Sequence, residues 1–192
     1  MFRSIFVGAL MLSSAVAMAD GLSYSSMQAS YQEVDLDVGG GIDADGDGFS
    51  LAGSVAIGEN WFVFASYDTA DLESVIDLTV LTVGGGWHTA ISDKTDFFAS
   101  VGFADGEIDV SGFGSEDDSG VALEVGIRSM VNPDLELYGS VGQIDFDGFR
   151  DGTAIDAGLW YTVSGNFALG LGATFDDDVS SYGIGARLYF DK

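Results

Sequence analysis

At 192 residues the chain has the length of one domain, and its 31 acidic residues against six Lys and Arg give a net charge of −25, which argues against nucleic acid as a partner. It has no Cys, which excludes disulfides, thiolate chemistry and Cys-ligated zinc. Because 47% of the residues are hydrophobic and 19% charged, with mean hydropathy +0.26, oil and charge must be segregated along the chain.

Residues 1–19 read "MFRSIFVGALMLSSAVAMA". Arg3 precedes an apolar run from Ile5 to Leu12, and Ala17-Met18-Ala19 has the small-x-small pattern of a signal-peptidase site. A secretory signal cleaved before Asp20 is expected, leaving residues 20–192 as the mature domain. The run is too short for a membrane anchor, and no later segment has the length of a membrane helix.

From Gly21 onward the dominant period is two. Strands are expected at 22–34, 48–57, 61–70, 77–90, 95–109, 119–130, 135–146, 152–162, 167–175 and 181–190. In "GVALEVGIRSM", Val121, Leu123, Val125 and Ile127 share one face, while Gly120, Ala122, Glu124, Gly126 and Arg128 share the other. The same split recurs in "NFALGLGATF" and in "SYGIGARLYF". The tight turns "GEN" (58–60), "ISDK" (91–94), "NPD" (132–134) and "SGN" (164–166) alternate with five long acidic segments. These are "EVDLDVGGGIDADGDG", "DTADLESVID", "DGEIDVSGFGSEDD", "DFDGFRD" and "DDDVSS". The alternation makes ten strands, or eight if two fray into loops.

A soluble barrel hides its large apolar side chains and shows water a charged exterior. Here the second face is Gly, Ala, Ser and Thr with scattered charges, too poor in ionic groups to hydrate an exterior. Small residues suit a crowded lumen, so the large apolar face must meet lipid. Alternating segments of this length, even in number, with short turns at one end and long loops at the other, are the pattern of a transmembrane antiparallel up-and-down β-barrel. Aromatics near the short turns and the C-terminus suggest interfacial girdles: Trp61, Phe62, Trp87, Phe97, Phe98, Trp160, Tyr161, Phe167, Tyr189 and Phe190.

The signal peptide, the hairpins "LTVGGGWHTAISDKTDFFASVGF" and "GVALEVGIRSMVNPDLELYGSVG", and the closing strand "YGIGARLYF" carry a family resemblance. The mature chain resembles the small outer-membrane β-barrel proteins of Gram-negative bacteria, the opacity-protein and outer-membrane-protein-A-like group often labelled porin family. The resemblance implies periplasmic termini and turns, extracellular acidic loops, an outer-membrane location, and lipid and lipopolysaccharide as surroundings. It also implies recognition by the barrel assembly machinery through a C-terminal aromatic, from which this chain departs because Asp191 and Lys192 follow Phe190.

Two constellations stand out. Glu124, Arg128, Glu136, Asp156 and Arg187 fall on lumen-facing positions, where the two arginines are expected to pair with carboxylates as a polar plug, a gate or simple filling. In "GIDADGDGFS", Asp43, Asp45 and Asp47 with Gly48 match positions 1, 3, 5 and 6 of an EF-hand loop. Position 12 is Ser54, not Glu, so only weakly bound calcium at the tip of the first loop is expected, and no other cofactor. The sole His, His88, sits beside the "ISDK" turn, where a rim position is expected rather than a general-base role. The leading expectation is therefore a non-enzymatic barrel with a structural or surface-interaction role. The alternatives are a narrow cation-selective channel and, less favoured, a lipid-modifying enzyme.

Overall fold

Ten antiparallel strands close on themselves in the computed structural model, which describes residues 22–37, 43–72, 76–146, 152–176 and 179–190. In chain order they are β1 (Ser26–Asp37), β2 (Asp43–Ile57), β3 (Trp61–Leu72), β4 (Ile76–Ser92), β5 (Thr95–Val110), β6 (Gly114–Asn132), β7 (Leu135–Phe146), β8 (Gly152–Ser164), β9 (Phe167–Phe175) and β10 (Val179–Tyr189). Each pairs with its chain neighbours, and β1 pairs with β10 from Ser26↔Tyr189 to Leu36↔Val179. The barrel is thus up-and-down with ten strands, not eight. The signal segment and its cleavage site lie outside the described residues, as do Arg150, Asp191 and Lys192.

The four tight reversals fall where the turn residues predict. Gly58 and Gly165 take positive φ values of 69° and 48°, which glycine tolerates without cost to a side chain. The turn asparagines then reach across to neighbouring strands: Asn60 Nδ2 donates to the His88 carbonyl and Asn166 Nδ2 to the Tyr189 carbonyl, both at 3.0 Å.

Period two assigns every strand residue to the lumen or the outside. Along β6 the outward face carries Val121, Leu123, Val125, Ile127 and Val131, all about half exposed. That run covers roughly the 9–11 residues with which a tilted strand crosses hydrocarbon. Towards the loop end the strands continue beyond this band, and their polarity inverts. On β5 the outward residues change from Val101 and Phe103 to Asp105, Glu107 and Asp109, while the lumen side changes from Ser100 to Ala104. The extension therefore follows the rule for a soluble barrel, apolar inside and charged outside. Two apolar clusters fill it, one of Val80, Ala104, Ala122, Ile144 and Phe146, the other of Val34, Ala70, Leu72, Leu78 and Val179.

This extension corrects several expected boundaries. β2 begins at Asp43 rather than at residue 48, so Asp43, Asp45 and Asp47 belong to a strand and not to a loop tip. Strands β3, β4 and β6 likewise take residues assigned to the acidic loops, because acidic residues facing water on a strand look like a loop in sequence. The first strand starts at Ser26, and residues 22–25 enter the lumen instead.

The girdle aromatics divide by parity. Trp61, Tyr161 and Phe190 face outward, but Phe62, Phe98, Trp160 and Tyr189 are buried in the lumen. Proximity to a turn does not decide which way a ring points; the alternation does. Glycines on adjacent strands make room for the inward rings. A Cβ on Gly86, Gly126, Gly158 or Gly170 would collide with Phe62, Phe98, Tyr138 or Trp160 respectively. Replacing Gly170 by Ala is therefore expected to cost about 1–3 kcal/mol through overpacking against Trp160. Gly53→Ala, whose Cβ would meet nothing nearer than the Ser26 carbonyl at 3.7 Å, should be close to neutral. Urea unfolding of the two variants in detergent micelles measures the difference.

Candidate functional site in the barrel lumen

The lumen is stratified along the strands. Its turn end is closed by rings, two arginines and the chain's own N-terminal segment. Tyr24, fully buried, stacks on His88 with centroids 4.4 Å apart and lies 5.0 Å from Phe62. The Arg128 guanidinium sits 4.5 Å above the Tyr24 ring, and its Nη1 donates to the Ser23 carbonyl at 3.0 Å. Leu22 packs on Met130 below them. The chain leaves the mouth at Ser25, whose carbonyl accepts from Phe190 N at 2.9 Å.

Glu136 is the ionic centre of this closure. Arg128 Nε donates to Glu136 Oε1 at 2.7 Å, and Arg128 Nη2 lies 2.6 Å from the same oxygen. Arg187 Nη1 is 3.5 Å from it on the other side. The Tyr189 hydroxyl donates to Glu136 Oε2 at 3.3 Å. Arg187 is held further by Gln28, whose Oε1 accepts from its Nε at 3.0 Å and its Nη2 at 2.8 Å, and by the Trp160 ring at 4.0 Å. One carboxylate thus sits between two cations, with rings excluding water on either side. Such an arrangement holds together because breaking it strands a charge in a dry site.

Beyond the plug, a polar belt runs round the mid-lumen, to which every strand contributes. It comprises Ser30, Ser50, Ser66 with Asp68, Thr82, Ser100, Glu124, Ser140, Asp156, Thr174 and Ser181, all buried. Many stand directly opposite one another, as in Ser30↔Ser50↔Asp68 and Ser140↔Asp156↔Thr174↔Ser181. Thr174 Oγ1 donates to Asp156 Oδ1 at 2.6 Å, and Ser100 Oγ to Glu124 Oε2 at 3.4 Å.

All five lumen charges singled out in the sequence are buried, but they do not form one group. Arg128, Glu136 and Arg187 belong to the plug, whereas Glu124 and Asp156 belong to the belt. Sequence reasoning missed Asp68 and Asp96. Asp68 fell inside the expected strand 61–70 but also opened the acidic segment "DTADLESVID", and was not singled out although the alternation Phe62, Phe64, Ser66 lands on it. His88 is corrected from rim to interior: it is fully buried, with Nδ1 3.5 Å from Asp96 Oδ2. Its alternation with Thr82, Gly84 and Gly86 carried that signal.

Outside, Asp45 and Asp47 occupy the exposed face of β2, two residues apart on an extended strand. Side chains so placed point outward side by side rather than inward on one centre. Among the described residues no three His, Asp or Glu side chains converge on a point that could hold a metal. The register makes a different pattern, a row of directly opposed carboxylates across five strands: Glu33↔Asp47, Asp47↔Asp71, Asp71↔Asp77 and Asp77↔Asp109.

Comparisons with known proteins bear on this geometry. The family model described as an outer membrane protein beta-barrel domain matches residues 4–175. No curated protein matches the chain. Among solved structures it is similar to Ail, the attachment invasion locus protein of Yersinia pestis, at 15% identity over 86% of this chain and 97% of that one, TM-score 0.45. It is similar also to the KdgM porin, at 12% identity over 85% and 99%, TM-score 0.46. A third is the translocator domain of autotransporter NalP from Neisseria meningitidis, at 9% identity over 90% and 91%, TM-score 0.48.

Two outcomes follow from the charges. Glu136→Gln leaves two buried guanidiniums without their carboxylate and is expected to cost about 3–5 kcal/mol. Adding Arg187→Gln should then cost less than it does in the wild type, as a double-mutant cycle by urea unfolding would show. Asp77→Asn relieves repulsion from both sides and should raise stability by roughly 0.5–1 kcal/mol at low ionic strength. That gain should largely vanish in about 1 M NaCl, where the Debye length is roughly 3 Å.

Proposed function

The chain belongs to the family of outer-membrane β-barrel domains, and from that premise we propose that it is a closed, non-conducting, non-enzymatic barrel with a structural or surface-interaction role. The observation that carries this reading is the occupied turn end of the lumen. Residues 22–24, Arg128, Glu136, Arg187 and a set of aromatic rings fill the turn end of the lumen among the described residues. A constitutive channel needs a hydrated path, and here that path is replaced by ion pairs and ring stacking.

The loop end supports the surface half of the proposal. Strands β4, β5 and β6 carry their acidic outward faces past the lipid-facing band and present them to water. At the tip of the β5–β6 hairpin, Phe113 is 81% exposed, held in a turn where Gly112 and Gly114 adopt positive φ. With the turns on the periplasmic side, the acidic row between Glu33 and Asp109 lies at the outer edge of the lipid band. There it meets lipopolysaccharide headgroups and the cations they hold. Phe190, exposed at the end of β10, is the aromatic offered to the assembly machinery.

The enzymatic alternative finds little support in the placement of its best acid–base pair. His88 and Asp96 are sealed beneath Tyr24 at the turn end, away from the loops where a lipid headgroup of the outer leaflet would arrive.

Planar-bilayer recording tests the proposal. The full barrel is expected to show no steady conductance, while a Tyr24→Ala, Arg128→Ala variant, with part of the closure removed, should show frequent openings that favour cations because the remaining lumen is acidic. Large, stable cation-selective conductance from the unaltered protein would contradict the reading and favour a channel.

A further inference from the structure

We propose that the loop-end edge of β6 is a docking strand, to which an extended basic segment of a partner protein adds as a further strand of the sheet. The inference rests on the surface-interaction reading for the outward position of the loop end, and it names the class of partner. β6 pairs with β5 along nearly its whole length, from Thr95↔Ser129 to Val110↔Gly114. On its other side, pairing with β7 stops at Gly120↔Phe146. Among the described residues no strand continues that pairing along 114–119, an edge of roughly 20 Å. Hydrocarbon forbids an open edge, but water permits one. The edge does not belong to a lone hairpin, which would be a poor template. β4 accompanies β5 up to Ile76↔Val110, and β3 accompanies β4 up to Leu72↔Ile76.

The phase of the ladder shows which backbone groups are open. Met130 N donates to the Lys94 carbonyl at 2.8 Å, one step beyond the pair Thr95↔Ser129. That pair is therefore a non-hydrogen-bonded one, and the register runs unbroken from it to Gly114. Even-numbered residues of this stretch bond to β5, while the N–H and C=O of odd-numbered residues point the other way. At Val121 and Leu123 those groups meet β7. At Ser115 and Asp117 no described strand takes them, and they present the donors and acceptors that a further strand would use. The edge ends at Ser119, whose N–H is taken by Asp118 Oδ1 at 2.9 Å.

Charge selects the occupant. Glu116 and Asp117 are exposed on the edge itself, and Glu107 and Asp109 are exposed on β5 directly opposite Asp117 and Ser115. A second copy pairing through the same edge would set these carboxylates against their own kind, and like charges across a strand pair are destabilising. Acidic side chains thus guard the edge against self-association. A strand with Lys or Arg at alternate positions meets the same carboxylates with opposite sign. Main-chain bonds then supply affinity and the alternate side chains supply selectivity.

The test is binding of a short fluorescein-labelled peptide of alternating Lys and Thr to the folded barrel in non-ionic detergent, read by fluorescence anisotropy at low ionic strength. The wild type is expected to bind it and to ignore the alternating Glu and Thr counterpart. Asp117→Asn removes one charge and should weaken binding roughly threefold. Asp117→Pro removes the same charge and also an edge N–H that β5 does not use, so it should weaken binding by about a further tenfold. A second measurement serves if that variant does not fold: amide exchange by NMR of the wild type with saturating peptide. Exchange should slow at Ser115 and Asp117 and stay unchanged at Glu116, which is bonded to β5. No binding by the wild type overturns the proposal, as does binding of both peptides. Equal affinities for the Asn and Pro variants, or exchange slowed without alternation, would mean charge attraction alone and overturn it too. Self-association of the wild type that the peptide does not compete away would assign the edge to a second copy instead. None of these outcomes bears on conductance, so the closed-barrel reading stands or falls separately.

Discussion

Backbone hydrogen bonding in hydrocarbon is the constraint on which the rest of this structure depends. No water is available there to satisfy an open strand edge, so a sheet that crosses must close. Closure between β1 and β10 removes the edge and gives each strand residue one of two positions, lumen or outside. Everything else follows from how the sequence fills those positions at each depth. Where lipid surrounds the barrel, oil is outside and hydroxyls, glycines and a few charges are inside. Where water surrounds it, acid is outside and Val, Ala and Leu are inside. The fold is one continuous sheet obeying two opposite polarity rules, and on strands such as β5 the change of rule marks the lipid boundary.

The lumen is a consequence of the same closure. Ten strands leave enough room for large side chains but little for bulk water, so inward rings and ion pairs have to complement one another. Phe62, Phe98, Tyr138 and Trp160 fit because glycines face them. Arg128 and Arg187 are tolerated because Glu136 lies between them and because Tyr24 and Trp160 lie against their guanidinium planes. The N-terminal segment belongs to this packing: without Ser23 and Tyr24, Arg128 would face the mouth. Packing the turn end and stabilising its charges are therefore one structural feature.

The barrel, its strand count and the inward positions of Glu124, Arg128, Glu136, Asp156 and Arg187 were legible because they depend only on alternation, which the sequence displays openly. What was missed came from substituting composition or location for alternation. Asp68 was grouped with the acidic segment it begins, although it fell inside the expected strand 61–70 and its parity matches Ser66. Phe62 and Trp160 were read as girdle because they lie near turns, although their neighbours Trp61 and Tyr161 are the ones facing out. Asp43, Asp45 and Asp47 spell an EF-hand start only if the chain curls there, and β2 keeps it extended. The plug formed by residues 22–24 had no signal of this kind, since its placement rests on contacts with Arg128, His88 and Phe62 far along the chain.

The inversion of polarity along a single strand is the central claim, and the absence of cysteine from the sequence makes it directly measurable. Nitroxide labels on single cysteines at outward positions of β5, from Ala99 through Val101, Phe103, Asp105 and Glu107 to Asp109, would be compared in reconstituted vesicles. Their accessibility to oxygen, which partitions into lipid, is set against that to a water-soluble nickel chelate. The structure predicts oxygen-dominated collisions at residues 99, 101 and 103 and nickel-dominated collisions from residue 105 onward. Uniform nickel accessibility along the whole series, or oxygen dominance continuing through residues 107 and 109, would contradict it.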